Sequence, residues 1–119
     1  MFLLVLKAIA AIGTAGTGLL ALFKPTSVYG FTGLVANGAR GISEIRAIFG
    51  GLFIALGAAP FIFGLSGDKA HAAFQMLGIG YLAIAVVRLV SIFLDKSTAS
   101  SNWISLAIEI VFGIILVLR

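Results

Sequence analysis

Four long apolar runs, separated by short polar or glycine- and proline-bearing connections, fix what this chain can become. The first, Phe2–Phe23, contains a single charged residue, Lys7. As a helix it is roughly 33 Å long, enough to cross a hydrocarbon core of about 30 Å. Comparable runs cover residues 43–65, 71–94 and 103–118. Hydrophobic residues make up 61% of the chain and charged ones 10%, against about 25% charged in an average soluble domain. A soluble fold of this size has too little polar surface to enclose so apolar an interior, so lipid must be the solvent. The expected fold is all-α: one integral membrane domain, a four-helix bundle with both termini on the same side.

Several classes fall away at once. A signal peptide carries its basic region before the apolar run, whereas Lys7 follows the first apolar residues. Cysteine is absent, which removes disulfides, thiol nucleophiles and thiolate metal sites. The net charge of +4 is scattered along the chain and forms no basic face with interleaved aromatics, so no nucleic-acid partner is expected. Loop lysines and arginines meeting anionic headgroups explain the basic balance.

Small residues from Ala8 to Gly18 give the first helix a surface that a neighbour can approach closely. Lys7 lies near enough to the helix start to snorkel to the near surface. Pro25 disfavours helical geometry at Lys24 and ends the run. Residues 25–42 form the longest connection, with Tyr29 and Phe31 as interfacial anchors. The second helix carries Pro60 near its end, where a kink is expected. The short turn Ser66–Ala70 makes helices two and three antiparallel neighbours. Ser101 or Asn102 can cap the fourth helix, and Trp103 stands at its interfacial end. Glycines 50, 51, 57, 78 and 80 are expected at close helix contacts.

Threading four spans places residues 24–42 and 95–102 on one side, so Glu44, Arg46, Arg88 and Glu109 share one half of the membrane. Arg88 lies six residues before Leu94, and Glu109 six after Trp103. Each is therefore roughly 9 Å inside its helix end, on adjacent helices joined by a short loop. An unpaired charge there costs on the order of 2.5–3.5 kcal/mol, so an Arg88–Glu109 ion pair is expected. Glu44 and Arg46 point about 200° apart on a helix, and only one of them should reach that pair. The other faces headgroups or the long connection. His71, at a helix start, reads as a solvated histidine or an N-terminal turn residue. No nucleophile–base set, phosphate-cradling loop or metal-ligand cluster is visible, so neither an enzyme nor a cofactor is expected.

The segment SEIRAIFGGLFIALG resembles the hallmark of domain-of-unknown-function family 4345, small bacterial four-helix membrane proteins, and more loosely the DoxX-like proteins. The later segment AVVRLVSIFLDKSTASSNWISLAIEI fits as well. The matching positions are Glu44, Arg46, Gly50, Gly51, Arg88, Ser91, Asp95 and Glu109. Lys96 stands where that family leads one to expect glycine. The resemblance implies a fold, and a bacterial inner membrane as its place, but no activity.

The expected function is a structural or accessory one, with small-molecule binding as its alternative. The small-residue faces suit a structural or accessory component packed against other membrane subunits or in a homo-oligomer. The charged set Glu44, Arg46, Arg88 and Glu109 suits a pocket for a small solute, a lipid or a quinone-like molecule, hydrophobic or anionic. A water-filled cavity reaching Arg88 favours the second, and a dry, fully paired cluster with small-residue faces covered by other chains favours the first.

Overall fold

Within lipid no water reaches the backbone, so a spanning segment must satisfy its own N–H and C=O groups, and a helix does so. The computed structural model describes residues 1–119 and is all-α, without a strand. Four helices are long and apolar enough to cross a membrane: α1 (Phe2–Phe23), α2 (Gly38–Ile62), α3 (Asp68–Leu94) and α4 (Ser100–Val117). Outward-facing residues such as Phe2, Phe23, Ile62, Phe93 and Leu94 are 72–78% exposed, an apolar outer surface of the kind that suits lipid better than water.

The ends of the helices follow local chemistry. Lys24, before Pro25, leaves helical geometry, and a 3-10 turn then runs Pro25–Val28. A short helix Tyr29–Thr32 stops at Gly33, whose φ of 73° suits a residue without a Cβ. The connection is shorter than expected, because α2 begins at Gly38 rather than Ser43. Residues 38–44 are too polar to register as part of an apolar run, yet Ala39, Arg40 and Glu44 are good helix formers. At the other end α2 stops at Ile62, before the left-handed Gly64 and Leu65. The third helix begins at Asp68 rather than His71, its carboxylate complementing the positive end of the helix dipole. The fourth begins at Ser100 rather than Trp103.

Within α2, Ile45–Leu52 is π-helical, a wider winding that is rare and recurs at functional sites. This stretch packs on α1, whereas the α-helical remainder, Phe53–Ile62, packs on both α1 and α3. Helix α3 in turn packs closely along α4.

Two crossings hold the helices together. A Cβ on Gly57 would stand 2.5 Å from the Ala11 carbonyl oxygen, and one on Gly18 would stand 2.9 Å from the Gly50 carbonyl oxygen. Both distances lie inside van der Waals contact, so α1 and α2 touch backbone to backbone. Between α3 and α4, a Cβ on Gly78 would meet Leu116 at 2.8 Å. Gly51 and Gly80 have nothing within 4 Å of their Cβ positions, so the close-contact expectation is corrected for those two. The small residues Ala10, Ala11, Thr14, Gly18 and Ala21 of α1 are buried within the chain. That face is spent on intramolecular packing.

Candidate functional site

Only three polar or charged side chains are buried: Lys7, Thr14 and Glu109. Each has drawn a partner from another helix or the chain's end.

Glu109 on α4 meets Arg88 on α3. The Arg88 Nε donates to both carboxylate oxygens, at 2.8 and 3.0 Å, and Nη2 donates to Oε2 at 2.8 Å. This is a forked, charge-assisted arrangement, among the stronger hydrogen-bonding geometries available to side chains. Nη1 donates to the Asn102 Oδ1 at 3.0 Å, and Asn102 is held in turn by its amide donating to the Ser97 carbonyl at 3.1 Å. The carboxylate is 9% exposed and the arginine side chain 30%. Arg88 therefore has one buried side, facing Glu109, and one open side.

The open side faces a cleft of about 470 Å³, lined by Ile84, Val87, Arg88, Ser91 and Asn102, among others. A guanidinium has five N–H donors. Three engage Glu109 and Asn102, which leaves two without a protein acceptor. Ser91 donates to Asp95 at 2.6 Å on the same rim.

Glu44 and Arg46 are exposed and make no ion pair with Arg88 or Glu109. The expected reach of one of them to that pair is corrected. Ile45, between them, is buried with Ala21 and Val28, which turns this part of α2 toward α1. Glu44 instead lines a separate hollow of about 280 Å³ beside residues 34–36.

Farther along α3 from Arg88, Tyr81 hydrogen-bonds Thr14 of α1 across the α1–α3 contact. The Thr14 hydroxyl already donates to the Ala10 carbonyl at 2.9 Å, and it has one proton to give. Tyr81 must therefore be the donor between the two. Their pair borders an apolar cavity of about 200 Å³ lined by Phe53, Leu56, Met76 and Leu77. Ile84 lines both this cavity and the Arg88 cleft. One side of α3 thus offers a recess of mixed polar and apolar lining followed by an almost wholly apolar one.

At another end, Lys7 donates to the Leu118 carbonyl rather than snorkelling to the surface. His71 lies in the first turn of α3, as one expectation had it, and is half-buried; its Nε2 is buried without a partner, so the solvated reading is corrected for that nitrogen. Sidedness alone puts Lys7, His71 and Arg119 together; the habit of treating terminal lysines as snorkelling hides that convergence. No group of three or more His, Asp or Glu side chains is placed to hold a metal ion.

The fold and its interior pairing define a class: all-helical proteins with four helices fit to cross a membrane and an arginine–carboxylate pair between two of them. The chain belongs to the family described as a domain of unknown function, DUF4345, which matches residues 2–119. No curated protein and no solved structure matches it.

Proposed function

We propose that this is an integral protein of a bacterial inner membrane, a four-helix bundle with both chain ends at one surface, that binds a small amphipathic molecule along α3. The observation that carries the reading is the cleft at Arg88, which shares Ile84 with the apolar cavity beside Tyr81. A polar head fits the first recess and an apolar chain the second, in keeping with the apolar lining and few polar groups of small-molecule sites.

The charge state narrows the head. Glu109 already neutralises Arg88, so a second anion would meet a balanced pair. Two unfilled N–H donors favour a neutral acceptor instead, such as a quinone carbonyl or an ester. Glu109 acts as the positioning residue that holds the guanidinium fork in place. The alternative, an accessory subunit, keeps only part of the small-residue surface of α1: Ala10, Ala11, Thr14, Gly18 and Ala21 are covered by the chain itself, while Gly13 and Gly16 stay exposed.

The test is native mass spectrometry of the protein extracted gently from its own membrane, wild type beside Ile84→Trp. Ile84 is 40% exposed and lines both recesses, so an indole there fills the junction between them. A co-purified neutral small molecule that disappears in the variant is the expected result. A stoichiometric second polypeptide with no small molecule would establish the accessory role in its place.

A further inference from the structure

A second cavity, of about 380 Å³, is lined by Lys7, Ser66, Gly67, His71, Phe74 and Arg119, among others. It differs from the Arg88 cleft in charge. Lys7 is 5% exposed, donates to the Leu118 carbonyl, and lies 5.8 Å from the Phe74 ring centroid. An ammonium group has three donors and no acceptor, so two N–H groups of Lys7 lack a protein acceptor. The Nε2 of His71 is buried and unpartnered. The Gln75 amide is already directed to the Val117 carbonyl, at 3.4 Å.

The acidic side of the balance is thin. Asp68 is the one carboxylate side chain nearby, 3.8 Å from Arg119, and both of those side chains are exposed. A buried cation short of acceptors is costly, and an oxyanion supplies both acceptors and opposite charge. Basic pockets between membrane helices bind anionic lipid headgroups on this principle.

We propose that this cavity binds a phosphate-type oxyanion, with Lys7 and the His71 Nε2–H as donors and Arg119 at the rim. The same chemistry is offered by a phospholipid headgroup and by free phosphate. Leu3, Leu4 and Leu65 also line the cavity and give an acyl chain an apolar path away from the headgroup.

The experiment uses the full-length protein in phosphatidylcholine nanodiscs, with and without a minor fraction of phosphatidylglycerol. Retained lipid is read by native mass spectrometry. Inorganic phosphate is titrated in parallel against the lipid-neutral discs, with thermal stability as the readout. Wild type should retain phosphatidylglycerol in preference to phosphatidylcholine. Lys7→Met and His71→Leu should each weaken that preference by about tenfold or more, the scale of one charge-assisted hydrogen bond. Lys24→Gln, an exposed cation outside the cavity, should leave it unchanged, as should Ile84→Trp. Phosphate stabilisation with the same variant pattern but no lipid preference identifies free phosphate as the ligand. The proposal is overturned if neither anion binds, or if Lys24→Gln weakens binding as much as Lys7→Met. Should Lys7→Met fail to fold, His71→Leu decides alone, since it removes a ring that makes no hydrogen bond within the chain, and unchanged binding there overturns the assignment.

Discussion

Replacing Glu109 by leucine removes the carboxylate that receives three contacts from Arg88, at 2.8, 3.0 and 2.8 Å. A centrally placed unpaired arginine costs about 2.5–3.5 kcal/mol on insertion scales. Arg88 keeps Asn102 and is open to the cleft on one side, so the cost here should be nearer about 2 kcal/mol. Arg88→Met strands the buried carboxylate and should cost about as much. Replacing both members of a buried pair with apolar side chains removes the uncompensated charge, so the double variant should lose only about 1 kcal/mol. The coupling energy should then approach about 3 kcal/mol, at the upper end of measured pairwise couplings. Typical intramembrane polar pairs reach at most about 1.7 kcal/mol, so the value separates a forked ion pair from ordinary polar contact. Reversible unfolding in mixed micelles, with rising dodecyl sulfate, can be followed by Trp103, the chain's single tryptophan. Single variants whose effects simply add, to within about 0.5 kcal/mol, would refute the claim that Arg88 and Glu109 act as a unit.

Other outcomes can be read in the same assay. Gly57→Ala drives a Cβ to 2.5 Å from the Ala11 carbonyl oxygen, whereas Gly51→Ala meets nothing within 4 Å. The first should cost about 1–3 kcal/mol, as overpacking does, and the second should be neutral or slightly stabilising. Thr14→Val strands the Tyr81 hydroxyl and should cost about 1–3 kcal/mol, more than Tyr81→Phe, which leaves Thr14 bonded to Ala10. An equal effect of the two would mean that Tyr81 is not the donor. Lys96 has a left-handed φ of 52°, so Lys96→Gly should stabilise the chain by about 1 kcal/mol. A loss of stability would show that the lysine side chain contributes more than its backbone strain removes.

The Arg88–Glu109 contact was legible because depth and sidedness follow from counting residues from helix ends, and both groups lie on ordinary α-helix. Glu44 and Arg46 failed the same counting. Their helix begins at Gly38, and it winds as a π-helix from Ile45. A fixed 100° per residue therefore misdirects side chains there, and nothing in ISEIRAIFGG marks the change of winding. The departure at Lys96 is explained by its backbone: the position after Asp95 turns left-handed, which is where glycine is favoured. Which glycines touch could not be read either, since Gly50 and Gly51 are chemically identical and only the crossing geometry distinguishes them.

The ion pair also constrains how the protein is made. Arg88 and Glu109 are separated by 21 residues, so at about 5–20 residues per second the arginine emerges from the ribosome roughly one to four seconds before its carboxylate. During that interval α3 carries an uncompensated cation and is a poor candidate to enter lipid alone. Helices α3 and α4 should therefore leave the insertion machinery together, as one hairpin whose second half licenses the first.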